Sequence, residues 1–255
     1  MNANQQDGSS RPTVVLVHGA FADGSSWNGV IERLQTEGVR VTAPANPLRG
    51  ISHDSAYIAS YLEQIPGPVI LVGHSYGGAV ITNAASGADN VLGLVYVAAF
   101  APDEGERLGE IEDGSKDSVL NAALMPLQYP SGEGQQTAVK FAIDPEKLHD
   151  VFAADLPEEQ SAVMAATQRP VAESAFSEPN GDPAWKKLPS WAVVASGDKA
   201  AGADIVRSMA ERAGAQITEV EGSHVIMVSQ PQVVAEVILT AVAAVPQKED
   251  LRAGR

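Results

Sequence analysis

The sequence contains no cysteine. Disulfides, thiolate metal sites, iron–sulfur clusters and thiol nucleophiles are therefore excluded. Basic residues are scarce, with 17 Lys and Arg against 32 Asp and Glu, for a formal net charge of -15. Such a chain is ill suited to nucleic acid or to an anionic membrane surface, both of which call for clustered cations. The plainest use of the acidity is solubility. Long apolar runs are missing as well. The longest, Val91 to Ala101, is interrupted by Gly93 and falls well short of the ~20 residues of a membrane span. The opening MNANQQDGSSRP has no apolar core of the kind a signal peptide carries. A soluble, cytoplasmic protein is expected.

What is present suits a packed enzyme-sized domain. Hydrophobic residues make up 44% of the 255 positions and charged residues 19%, enough apolar surface to bury a core. Thr13–Val17 is a β-branched run ending in His18-Gly19, the pattern of a strand buried on both faces. A helix carrying Trp27, Val30, Ile31 and Leu34 follows and closes at Gly38. Val39–Ala43 reads as a second strand, and Tyr57, Ile58, Tyr61, Leu62 and Ile65 mark a second helix. Pro68–Val72 is a third strand, Gly77 to Ala88 a small-residue helix, and Val91–Val97 a fourth strand. The alternation lapses over about 101–185, where helical patches are predicted near 117–125, 145–153 and 158–167. It resumes with a strand at Trp191–Ala195, a helix at Asp204–Ala213, a strand at Ile217–Val220 and a final helix at Pro231–Val245. Strand–helix alternation implies a mostly parallel sheet of about six strands covered on both faces. The expected layout is a core over 12–100 and 186–246, a helical cap inserted at 101–185 after the fourth strand, and flexible tails at 1–11 and 247–255.

Gly73-His74-Ser75-Tyr76-Gly77 matches G-x-S-x-G. The bare pattern is a weak signal, since glycine-rich turns also occur with no chemistry. Its setting is specific: an apolar strand runs into it and a helix opens from it, as a nucleophile elbow requires. Ser75 is the expected nucleophile. Two backbone donors should face the oxyanion, one from Tyr76 and one from the loop His18-Gly19-Ala20-Phe21. Ala20 is preferred over Phe21 for the second. His18, at a strand end, is expected to order its loop rather than act as a base.

Five histidines compete for the base: His18, His53, His74, His149 and His224. His224 follows the sixth strand, and the chain order Ser, Asp, His favours it. Asp198, after the fifth strand, is the leading acid, Asp103 is its rival, and Asp204 reads as a helix cap.

These residues resemble the α/β-hydrolase superfamily, and more narrowly its branch of plant methyl-ester esterases, hydroxynitrile lyases and related bacterial esterases. The similar blocks are VVLVHGAFADGSSW, VTAPANPLRG, PVILVGHSYGGAVI, LVYVAAFAPDEGE, ASGDKA and GSHVIMVSQP. The resemblance implies an α/β-hydrolase fold, the triad Ser75, Asp198 and His224, oxyanion-hole amides at Ala20 and Tyr76, and no metal or organic cofactor. Lyases of this branch carry Thr where this chain has Gly19, and Lys after the catalytic histidine where it has Val225. Both departures favour an esterase. The loop after Asp198 lacks the proline common in relatives.

The expected activity is serine-dependent hydrolysis of a small, largely apolar carboxylic ester through an acyl-enzyme. The alternatives are a lyase or carbon–carbon hydrolase on the same triad, and a non-catalytic small-molecule receptor. Phe21, Leu124, Met125, Phe152 and Met164 are candidates for the substrate pocket, with Tyr129, Phe141 and Phe176 as further aromatic or apolar residues of the insertion; core packing would explain the insertion residues equally well. The expected partner is a small-molecule ester, with no nucleic acid and no membrane; a homodimer is left open.

Overall fold

The computed structural model describes residues 11–132 and 136–245. The expected tails therefore lie, Arg11 apart, outside the described residues. In chain order the core opens with β1 (Thr13–Val17), α1 (Asn28–Thr36), β2 (Val41–Thr42), α2 (Ile51–Leu62), β3 (Val69–His74), α3 (Tyr76–Ala84) and β4 (Val91–Val97). An intervening segment carries α4 (Leu108–Asp113), β5 (Leu124–Pro130), β6 (Thr137–Ile143), α5 (Leu148–Phe152), α6 (Glu158–Thr167), β7 (Val171–Ala172) and α7 (Ser174–Ser177). The core then closes with β8 (Ser190–Ala195), α8 (Ala203–Arg212), β9 (Gln216–Val220), α9 (Ile226–Ser229) and α10 (Pro231–Ala244).

The main sheet is six-stranded and parallel throughout, in the order β2-β1-β3-β4-β8-β9. Every residue of β1, β3 and β8 is buried, which is why these strands read as unbroken apolar runs rather than as alternations. Helices α1 and α10 pack together, as do α2 and α3, and flank the sheet. No described helix is long and apolar enough to cross a membrane.

The registers put the functional loops together. Val17 pairs with Gly73, His74 with Val97, Val97 with Val193, and Ala195 with Val220. The carboxyl ends of five strands therefore stop along one edge, with the expected site residues in the loops just beyond. The chain leaves β1 toward β2 on one side and returns with β3 on the other. A crevice opens at such a reversal, beyond the strand ends. The loop after β1 and the turn after β3 meet there.

The insertion is less helical than predicted. The patch near 117–125 is only a short 3-10 turn, Leu120–Ala123, that runs into β5. Strands β5, β6 and β7 form a second, antiparallel sheet. Pro126 and Pro130 account for the change. Pro126, just past the predicted patch, keeps Met125 out of the helical region, while an extended hairpin opposite TAVKFAI accepts both prolines. The helices near 145–153 and 158–167 are present as α5 and α6. The predicted strand at Val39–Ala43 shortens to β2.

Candidate active site

Ser75 sits between the last residue of β3 and the first of α3, with φ 53° and ψ -126°. This is a positive-φ conformation at a non-glycine residue, the kind of strain costing about 1–3 kcal/mol that is tolerated where the surroundings impose it. Here the surroundings are hydrogen bonds and close approaches. The Ser75 carbonyl accepts from Gly78 N–H at 2.9 Å and Phe100 N–H at 3.2 Å, and its N–H donates to Val97 at 3.3 Å. A Cβ on Gly77 would fall 2.5 Å from the Val17 carbonyl oxygen, so only glycine lets the elbow lie against β1.

Gly19 is held just as closely. A Cβ there would lie 2.7 Å from Ser75 Cβ and 2.9 Å from the His74 carbonyl oxygen. The next two residues settle a question about donors. Phe21 N–H is committed to the Arg169 carbonyl at 3.1 Å, whereas Ala20 N–H and Tyr76 N–H have no hydrogen-bond partner among the described residues. The two amides preferred from sequence are the two left without a partner among the described residues, and both residues line the cavity that Ser75 lines.

His18 orders this loop. Its Nε2 accepts from Asn46 N–H at 3.0 Å, so Nδ1 carries the proton and donates to the Gly19 carbonyl at 2.9 Å. Burial pushes its pKa down, which suits a neutral ring that both donates and accepts.

His224 and Asp198 form a buried pair, 1% exposed each. His224 Nδ1 lies 2.8 Å from Asp198 Oδ2, while Asp198 Oδ1 accepts from Ala200 N–H at 2.9 Å and Ala201 N–H at 3.0 Å. The carboxylate is thus fixed at both oxygens, and it fixes the imidazole with Nε2 left for another partner. Ser75 and His224 line one cavity, yet no hydrogen bond joins them among the described residues. Such bonds are often long before substrate is bound. The rival acid is elsewhere: Asp103 pairs with Lys186 at 2.5 Å. His149 bonds Ser161 at 3.0 Å and His53 neighbours Asp54.

The cavity at Ser75 and His224 measures about 10 Å³, room for roughly one water molecule. Of the predicted pocket residues, Phe21 and Phe152 line it. Their rings meet edge-on at 6.1 Å, and Phe152 also lies 5.0 Å from the His224 ring. Met164 instead lines a neighbouring groove of about 190 Å³ that shares Phe21 as a wall. Leu124 and Met125 line neither space: they belong to β5, because the chain is extended there rather than helical. Tyr129 lies under Arg49, and Phe141 packs on Phe176. The walls that sequence reading missed are Phe100, Glu112, Leu120, Ala200 and Ala201. A broader surface concavity between α2 and α3, lined by Ala59, Glu63 and Asn83, carries no histidine and lies apart from this chemistry.

The pattern of the alpha/beta hydrolase family matches residues 14–237. The chain belongs to that family. This α/β-hydrolase is 36% identical over 107 residues to a carbendazim hydrolyzing esterase of a Nocardioides species, covering 37% of this chain and 44% of that relative. It is 29% identical over 195 residues to a pyrethroid hydrolase of Sphingobium wenxiniae, covering 65% of this chain and 67% of the relative. The chain thus aligns with under half the length of the first of these. Among solved structures, polyneuridine aldehyde esterase superposes with a TM-score of 0.77 at 20% identity, over 91% of this chain and 99% of that one. That likeness is one of fold.

Proposed function

We propose that this α/β-hydrolase hydrolyses a small, largely apolar carboxylic ester through an acyl-enzyme on Ser75. One observation carries the reading: a buried Asp198–His224 pair at 2.8 Å opens on the same cavity as a serine held at φ 53°. His224 Nε2 takes the Ser75 proton as Oγ attacks the ester carbonyl, and Asp198 stabilises the imidazolium that forms. The oxyanion receives the free amides of Ala20 and Tyr76. His224 returns the proton to the departing alcohol, then activates the water that releases the acid. The aromatic walls Phe21, Phe100, Phe152 and Phe176 favour apolar substituents. In this reading residues 101–185 act as the cap over the site, and its walls part for a substrate larger than the closed cavity. The sheet edge itself needs no cofactor for these steps.

The test is turnover of p-nitrophenyl acetate by wild type and Ser75→Ala, with a serine-trapping phosphonate as a second probe. Wild type should show a burst and a phosphonate adduct on Ser75, and the variant should lose about 10³-fold or more in kcat. Wild-type rates in Ser75→Ala would overturn the proposal.

A further inference from the structure

Glu112 lies in the last turn of α4 and is 3% exposed, yet it is one of the residues that wall the cavity holding Ser75 and His224. Most of the remaining wall is apolar: Phe21, Phe100, Leu120, Phe152, Phe176 and alanines. No cation lies within ion-pair distance of it among the described residues.

Among the described residues the one hydrogen-bonding neighbour of its carboxyl is Ser118, whose Oγ is 3.4 Å from Glu112 Oε1. Ser118 has a single hydroxyl proton, and a better acceptor takes it: the Ala200 carbonyl at 2.7 Å. Its contact to Glu112 is thus the weaker of the two, and leaves the carboxyl without a strong donor among the described residues. A buried carboxylate served so poorly is costly, whereas a carboxylic acid is not, and it keeps its one proton for another partner. The charges that face Glu112 point the same way. Asp113 is beside it on α4, and Asp198 approaches from the loop after β8. Across the cavity stands His224, already paired with Asp198. Burial above all, against a lowering by the Ser118 contact and with a smaller push from these two carboxylates, raises the Glu112 carboxyl to about 7. It carries its proton through the acid-to-neutral range.

We propose that Glu112 is the specificity-determining side chain of this site, its protonated carboxyl donating a hydrogen bond to an uncharged acceptor on the substrate beyond the scissile ester. The preferred substrates are then esters carrying an ether, ketone or second ester oxygen, rather than plain alkyl esters. The inference rests on the esterase reading. It adds to it that an otherwise apolar pocket selects for one polar atom, because an analogue lacking that atom leaves the buried donor unpaired.

The experiment compares p-nitrophenyl 3-methoxypropanoate with p-nitrophenyl pentanoate, which differ by an oxygen in place of a methylene. The readout is the ratio of their kcat/KM values, in which any pH effect common to both esters cancels. In wild type at pH 6 the ratio should favour the ether, and Glu112→Leu should lower it about fivefold. Glu112→Gln keeps an N–H donor and should keep the ratio. As pH rises past about 7 the wild-type ratio should fall, while that of Glu112→Gln stays level. A side chain that merely props the Ser118 loop would move both substrates together. An unchanged ratio in Glu112→Leu, or a wild-type ratio flat with pH, would overturn the proposal while leaving Ser75-dependent turnover intact. Turnover of neither ester by wild type, or turnover that survives Ser75→Ala, would instead sink the esterase reading and this inference with it.

Discussion

His74 Nε2 lies 3.0 Å from the carbonyl oxygen of His224, and the two rings sit 4.7 Å apart. The residue before the expected nucleophile thus holds the backbone of the expected base, 150 positions away. The contact requires a ring that carries a proton on Nε2. Complete burial, and then the nearby His224, hold the His74 pKa well below the usual histidine value, so the ring stays neutral in the working range.

His74→Phe keeps an aromatic ring and removes the donor. The His224 carbonyl then loses its partner, and the imidazole is free to shift relative to Ser75. We expect kcat for an aryl ester to fall about ten- to a hundredfold, with a stability loss of about 1–3 kcal/mol from the unsatisfied carbonyl. His74→Gln, which can offer an amide N–H, should recover part of both. Parallel measurements of kcat and Tm decide the matter: wild-type kcat in His74→Phe would show that the bond does not position the base.

Gly19→Ala tests the oxyanion loop without touching the Asp198–His224 pair. The added methyl has to displace Ser75 Cβ or the His74 carbonyl, at 2.7 and 2.9 Å, and the loop carries the Ala20 amide away with it. The loss of one well-aimed donor is worth about 10²–10³ in kcat. KM should change far less than kcat, since the substitution leaves the Asp198–His224 contact unchanged. Full activity in Gly19→Ala would mean that Ala20 N–H takes no part.

Much of this site was legible because its signals are local or ordered along the chain. The apolar run Val69–Val72 feeding Gly-His-Ser-Tyr-Gly, the glycine after His18, and the sequence Ser75, Asp198, His224 each tie a residue type to a strand end. The main sheet was legible for the same reason, since buried parallel strands are written as plain apolar runs. The insertion was not. Leu124–Pro130 has no consistent alternation of buried and exposed residues, so its pairing with Thr137–Ile143 depends on a partner strand rather than on its own pattern. Which insertion residues descend onto Ser75 is likewise a tertiary matter: Phe152 reaches the cavity, whereas Leu124 and Met125 do not. Glu112 was the hardest to see, because Gly-Glu-Ile-Glu-Asp-Gly reads as a solvated acidic stretch, and only the fold turns one of its two glutamates inward.

That inward carboxyl gives the protein an unusual dependence of stability on pH. Burial lowers the pKa of His18 and His74 below 6.5. As pH falls through that value the unfolded chain takes up protons that the folded chain refuses. Their contribution is therefore complete above about 6.5 and is lost on acidification. Glu112 runs the other way. Its folded value of about 7 stands above the ordinary 4.5, so the folded state keeps a proton that the unfolded chain releases. Stability is drained as pH rises from about 4.5 to 7. Glu112→Gln removes this drain while leaving the two histidines. Relative to wild type the variant should be nearly unchanged at pH 4.5 and more stable at pH 8, by an amount on the order of 3 kcal/mol. On acidification below 6.5 it should lose stability more steeply than wild type, because nothing then offsets the histidines. Urea midpoints of both proteins between pH 4.5 and 8 measure the difference. Should the gap between them be the same at both ends, the folded protein holds Glu112 ionised, as an acceptor of the Ser118 hydroxyl.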